Sequence, residues 1–126
     1  MSPQRILIVS NEALSDSVRE ALEQRGFTIT VAEDSESADG ELARSLFALV
    51  IVVVADGTDG IELIKRMRAT PTLKSVLILV VAAWGAGAAT LALSQGADAY
   101  EPRPLEAARL LASVERLLSR QAVVIK

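Results

Sequence analysis

The run ALVIVVVA at Ala48–Ala55 decides the fold, and it is the most hydrophobic stretch of the sequence. Its β-branched residues are typical of a strand that is covered on both faces of a parallel sheet. Asp56–Gly60, DGTDG, follows as a loop by composition, and Ile61–Ala69 has helical periodicity with Pro71 just past its end. This stretch therefore predicts one strand–loop–helix unit.

The same alternation of apolar runs and helix-period segments extends to both sides of that unit. The predicted strands are Ile6–Val9, Phe27–Ala32, Ala48–Ala55, Val76–Ala83 and Ala97–Glu101. The predicted helices are Glu12–Arg25, Ser35–Leu46, Ile61–Ala69, Ala86–Gln95 and a last helix with Pro104 in its first turn. Gly26 stands where a left-handed residue would cap the first helix. Repeated units of this kind predict an α/β fold, a parallel sheet with helices on both faces.

Length and composition exclude several classes of protein. The 126 residues fit one domain, which we place at residues 1–120, with 121–126 as a tail that starts a linker to an absent domain. The chain has no cysteine and no histidine, which excludes disulfides, thiolate metal sites and histidine-based catalysis. A formal net charge of −3 argues against a nucleic-acid partner, which favours a basic face.

One stretch, Ser75–Ala97, has 23 residues without a charge, which is long enough for a membrane span. Gly85 and Gly87 divide it into a strand-like block and a weak alanine-rich segment, and this texture argues against a spanning helix. The amino terminus has only a four-residue apolar run, Ile6–Val9, which is too short for a signal peptide. We therefore expect a cytoplasmic protein with no membrane contact.

In a doubly wound sheet, ligands bind at the carboxyl ends of the strands. The loops there are Ser10–Glu12, Val52–Asp59, Val81–Gly87 and Glu101–Pro104. The sequence also carries three motifs: ILIVSNE near the start, DGIELIKRMR after the third strand and GADAYEPRPLE before the last helix. Through these motifs it resembles the receiver domains of two-component response regulators. This resemblance implies a flavodoxin-like sheet of order 2-1-3-4-5 with five helices.

The resemblance also assigns a role to each loop. A working receiver holds a divalent cation with an acidic pair after the first strand and is phosphorylated on an aspartate that ends the third. A Ser or Thr ending the fourth strand and a Lys ending the fifth contact the phosphoryl group. In this sequence the corresponding residues are Ser10 and Asn11 for the pair, Val52 or Val53 for the acceptor, Val81 for the hydroxyl and Arg103 for the lysine.

These replacements imply a degenerate receiver, or pseudo-receiver, with no enzymatic activity, metal or cofactor. Two alternatives for the acidic residues stay open. Asp56 is either a relocated phosphoacceptor or a solvated turn residue. Glu12 with Asp56 is either a residual acidic site for a cation or, for Glu12, a residue that favours the start of a helix.

A second set of alternatives concerns the loop after the fourth strand. Gly85–Thr90, GAGAAT, imitates a dinucleotide-binding fingerprint, but it follows the fourth strand rather than the first. The alternative function is therefore a regulatory receiver that responds to a nucleotide or an anion at Gly85–Gly87 or Arg103. The plainer interpretation is a loop loosened by two glycines.

The resemblance implies a protein partner at the face of the fourth helix, fifth strand and last helix, with a weak homodimer kept open. The candidate switch and interface residues are Trp84, Leu91, Tyr100 and Arg109. Alternatively, the leucines of Ala86–Gln95 face the core and Trp84 covers the empty acceptor pocket. Tyr100 is either fixed in one rotamer or freely exposed. We expect a phosphorylation-independent module for protein–protein interaction or localisation in signalling.

Overall fold

The fold is a five-stranded parallel sheet in the order β2-β1-β3-β4-β5. The computed structural model describes residues 4–10, 16–54, 59–82, 90, 93–102 and 106–124. The strands are β1 Arg5–Val9, β2 Thr28–Ala32, β3 Leu49–Val54, β4 Leu77–Ala82 and β5 Ala99–Pro102. Each bound lies within two residues of its sequence-based prediction, so the predicted fold class and strand order are confirmed.

Helices cover both faces of this sheet. They are α1 Asp16–Gln24, α2 Ser35–Arg44, α3 Asp59–Ala69, a 3-10 turn at Pro71–Leu73 and α4 Ala107–Val124. Most of the helix predicted at Ala86–Gln95 lies outside the described residues. Within this range the structure describes Thr90 and residues 93–95, and Thr90, Leu93 and Ser94 are helical. α4 continues to Val124, so most of the predicted 121–126 tail extends the last helix. Among the described residues, no helix is both long and apolar enough to span a membrane.

Two aliphatic cores lie on opposite faces of the sheet because successive strand side chains alternate. One core packs β-strand residues such as Val50 and Val52 against α2 and α3. The other packs residues such as Ile51 and Val81 against α1 and α4. β1, β3 and β4 contribute to both cores, which explains why their sequences are continuous hydrophobic runs.

Local signals set the ends of two helices. Gly26 has a φ of +92°, which confirms the predicted left-handed cap after α1. Asp34 caps the amino end of α2, where its Oδ1 accepts a hydrogen bond of 2.8 Å from the Ser37 N–H. α2 ends at Arg44, two residues before its predicted end, because Ser45 has an extended backbone.

The Asp34 cap gives the stability of the protein a pH dependence. The hydrogen bonds from Ser37 hold the pKa of Asp34 below its ordinary value of 3.8. The carboxylate therefore stabilises the fold fully above that value, and its contribution is lost as the pH falls through the lower folded-state pKa. We expect Asp34→Ala to lower the melting temperature at pH 7 by a few degrees, and by less near pH 3.

Thermal melts of the wild type and Asp34→Ala between pH 3 and pH 7 check this expectation. Asp34→Asn is the matched control, because the amide keeps a capping oxygen but does not titrate. An equal deficit for Asp34→Ala at every pH would contradict the assignment of this pH dependence to Asp34.

One arginine joins the elements around the amino ends of β4 and β5. Arg68, on α3, donates hydrogen bonds to the carbonyls of Lys74, Val76 and Gly96 at 2.8–2.9 Å, with a longer contact to Leu73 at 3.5 Å. It also donates to Asp98 Oδ2 at 2.9 Å, and the same oxygen accepts from the Ile78 N–H at 2.8 Å. Arg68 thereby fixes the entry of the chain into both strands.

Candidate functional site

The candidate site lies where the parallel strands end on their carboxyl side, because all of these ends meet at one edge of the sheet. Ser10 directly follows β1, Val54 ends β3, Ala82 ends β4 and Pro102 ends β5. The resemblance to receivers assigns the metal, acceptor, hydroxyl and lysine roles to residues within two positions of these strand ends: Ser10 and Asn11, Val52 or Val53, Val81, and Arg103. The described part of this edge therefore shows where several of the residues at these receiver positions lie.

The backbone of Ser10 continues the pairing of β1 with β2 by one residue. Its backbone N–H donates a 2.9 Å hydrogen bond to the Ala32 carbonyl, which extends the ladder between β1 and β2. Ser10 is buried, with 5% of its surface exposed. Asn11 and Glu12, the other candidates at this end of β1, lie outside the described residues.

Val52 and Val53, the two candidates for the acceptor position, point to opposite faces of the sheet. Val52 is fully buried in the core beneath α2 and α3, and it is paired in register with Val80. Val53 is half-buried against the core beneath α1 and α4, and it is paired in register with Val81. The structure therefore brings Val53 and Val81, but not Val52 and Val81, together on one face.

Val81 occupies the predicted hydroxyl position and is almost completely buried among aliphatic side chains. The valine side chain has no hydrogen-bonding atom, so its burial leaves no side-chain polar group unsatisfied. The described ends of β3 and β4, Val53–Val54 and Val81–Ala82, consist only of valine and alanine.

Tyr100 is held close to β4. Its ring is half-buried against the core beneath α3, and its hydroxyl donates a hydrogen bond of 3.2 Å to the Ala82 carbonyl. Of the two alternatives drawn from the sequence, free exposure of Tyr100 does not match this arrangement. A fixed rotamer stays a prediction.

Glu101, which is not among the candidate residues predicted from the sequence, pairs with Val81 on the sheet face beneath α1 and α4. It is only 8% exposed, and its Oε2 accepts a hydrogen bond from Ser113 Oγ on α4. The Arg109 Nε lies 4.0 Å from Glu101 Oε1, so the structure assigns Arg109 an intramolecular neighbour as well as an exposed surface. Two sequence features could have indicated the contact of Glu101 with Ser113: a glutamate inside a short strand, and a serine among the leucines of the last helix.

Comparison with known proteins identifies the family. The response regulator receiver domain family matches residues 6–115.

The chain belongs to the response regulator receiver domain family.

This receiver resembles known proteins over most of its length. It is 32% identical over 118 residues to the transcriptional regulatory protein TctD of Salmonella typhimurium, covering 93% of this chain and 52% of that protein. CpxR of Escherichia coli is also 32% identical, over 92% of this chain and 50% of CpxR. The chain thus spans about half the length of the curated relatives that it matches.

A solved structure supports the fold. A response regulator receiver domain protein from Methanospirillum hungatei superposes with a TM-score of 0.84 at 24% identity, covering 96% of this chain and 98% of that one. The receiver therefore shares this fold, which is the doubly wound sheet described above.

Several predicted site residues of this receiver lie outside the described residues. They are Asn11, Glu12, Asp56, Trp84, Gly85–Gly87, Leu91 and Arg103. Within the described ranges, no three His, Cys, Asp or Glu side chains form a group that would suit a metal ion. The structure thus locates Ser10, Val52, Val53, Val81, Tyr100 and Arg109, and it adds Glu101 and Ser113.

Proposed function

We propose that this receiver acts without phosphorylation, as a module for protein–protein interaction or localisation in a signalling system. The observation that carries the proposal is the pairing of Val53 with Val81 on one face of the sheet. Receivers require an aspartate and a hydroxyl that contact the same phosphoryl group, and neither valine side chain has an oxygen.

The register also favours one assignment of the acceptor position. An acceptor and a hydroxyl that contact one phosphoryl group have to lie on the same face of the sheet, because side chains on opposite faces are separated by the backbone. Val53 shares the face of Val81, whereas Val52 lies in the opposite core. We therefore assign the acceptor position to Val53.

The aliphatic packing accounts for a constitutive mode of action. A ligand shifts a conformational equilibrium only by its difference in affinity for the two states. A phosphoryl group would find no covalent acceptor at Val53 and no hydroxyl at Val81 with which to favour a second state. The module accordingly presents one conformation to its partner, at the face of the 86–95 segment, β5 and α4.

The relatives suggest where a nucleic acid would bind in a longer protein. TctD is a transcriptional regulatory protein, and its matched region is only 52% of its length. This chain carries a formal charge of −3, which disfavours contact with phosphate backbones. We place any such contact outside this domain.

A titration with Mg²⁺ followed by beryllofluoride, a phosphoryl mimic, tests the proposal. Trp84 is the only tryptophan, so its fluorescence and the melting temperature report binding in the same sample. We expect no saturable fluorescence change and no thermal stabilisation, whereas a ligand that binds the folded state raises its stability by mass action.

A receiver with the acidic pair, aspartate, hydroxyl and lysine intact serves as the positive control. Saturable quenching or stabilisation in this protein would contradict the proposal. Asp56→Asn is the deciding variant in that case. Loss of the response would assign it to a relocated acceptor at Asp56, and its persistence would assign it to a ligand site elsewhere.

A further inference from the structure

A buried carboxylate lies in the same row of the sheet as the two valines. β4 pairs Val53 with Val81 on one side and Val81 with Glu101 on the other. The Glu101 side chain is 10% exposed, and Val81, its partner on β4, belongs to the aliphatic core of this face. Burial of a carboxylate is unfavourable unless hydrogen-bond donors replace the lost water.

The donor and the cation nearest to Glu101 both belong to α4. Ser113 Oγ donates to Oε2, and the Arg109 Nε lies 4.0 Å from Oε1. Arg109 and Ser113 are four residues apart, so they lie on adjacent turns of one helical face. Each oxygen of a single carboxylate is thus directed at the same helix.

These contacts connect an edge strand to the last helix. β5 pairs with β4 on its only paired side in the described sheet, and Leu110 and Val114 of α4 belong to the aliphatic core that includes Val81 of β4. Aliphatic contacts tolerate small sliding motions, whereas a buried carboxylate that loses its donor remains desolvated and unpaired. A shift of α4 along β5 would therefore be opposed mainly at Glu101.

We propose that Glu101, Ser113 and Arg109 form a permanent carboxylate clamp that fixes α4 against β5 and holds the partner-binding face in one arrangement. The clamp rests on the proposed function, because it explains how a receiver without a phosphoryl group keeps a constant output face. Glu101 and Ser113 are positioning residues in this scheme, and Arg109 offers its exposed side to the partner.

Hydrogen exchange of the full chain tests the clamp. We expect Glu101→Gln and Ser113→Ala each to increase amide exchange in β5 and in α4 residues 107–118 by at least about tenfold, since a charged hydrogen bond is lost or weakened. Amides of β1 and β2, on the far side of the sheet, should change much less. A residue that contributed only to global stability would accelerate exchange in all strands alike.

Glu115→Gln is the matched control, because Glu115 lies on the same helix in an ion pair with Arg25 whose side chains are about half exposed. We expect Glu115→Gln to cause no selective increase of amide exchange in β5 or α4. Unchanged or uniformly faster exchange in the clamp variants would overturn the proposal. If Glu101→Gln does not fold, Ser113→Ala decides alone, since it removes only the donor. The exchange result is independent of the beryllofluoride titration, so either proposal can fail without the other.

Discussion

Replacing Arg68 by alanine is expected to lower the free energy of unfolding by about 3 kcal/mol and the melting temperature by roughly 10 °C. The side chain is 22% exposed and donates to three backbone carbonyls, those of Lys74, Val76 and Gly96, as well as to Asp98. Alanine would leave these partly buried carbonyls without their donor, which costs more free energy than the loss of an exposed hydrogen bond. Arg68→Lys should recover little of the lost stability, because one ammonium group cannot reach all of the oxygen atoms that accept hydrogen bonds from the guanidinium group.

Arg66→Ala provides the control for this prediction. Arg66 lies two residues earlier on α3 and pairs with Asp39 at 3.0 Å, with both side chains about half exposed. An exposed pair of this kind contributes about 0.2–1 kcal/mol. Chemical denaturation of the three variants measures the difference. Equal losses for Arg66→Ala and Arg68→Ala would show that Arg68 has no special role in joining the strands.

Gly96→Ala is expected to destabilise the protein by about 2–3 kcal/mol, for two separate reasons. Gly96 has a φ of +120°, a backbone conformation that side-chain-bearing residues rarely adopt. A Cβ at this position would also lie 2.6 Å from the Arg68 Cγ. Arg68 cannot move away without losing hydrogen bonds, because its Nε donates to the Gly96 carbonyl itself and its other nitrogens donate to Lys74, Val76 and Asp98.

Gly40→Ala is the opposite case and serves as its control. Gly40 lies within α2, and a Cβ there would meet nothing within 4 Å. The substitution should stabilise the protein by about 0.5–1 kcal/mol, since alanine loses less backbone entropy in a helix. Thermal melts of both variants measure the change in stability that each substitution causes. A mild effect of Gly96→Ala, similar in size to that of Gly40→Ala, would rule out the close approach of Arg68.

The sequence predicts the sheet well because its signals are local. The run Ala48–Ala55 and its shorter counterparts are continuous apolar segments, and their order in the chain fixes the parallel arrangement. Gly26 is predicted correctly for the same reason, because a glycine after a helix-period segment signals a left-handed cap. The close approach of Arg68 to Gly96 gives no comparable signal, because the two residues are 28 positions apart in the sequence.

The candidate site is predicted less completely because its geometry is non-local. Counting along the chain leaves Val52 and Val53 equivalent as acceptor positions, whereas the register of β3 with β4 places only Val53 beside Val81. Glu101 looks like an ordinary strand-end residue until α4 brings Ser113 and Arg109 against it. Contacts between residues that are distant in the sequence depend on how the helices and strands pack, so the spacing of residues along the chain does not predict them.

Incubation with acetyl phosphate and Mg²⁺, followed by intact-mass analysis, measures whether this receiver accepts a phosphoryl group. We expect its mass to stay unchanged under conditions in which a receiver with an intact site gains a phosphoryl adduct. A phosphoryl adduct on this protein would show that it is phosphorylated after all, and loss of the adduct in Asp56→Asn would assign the acceptor to the loop after β3.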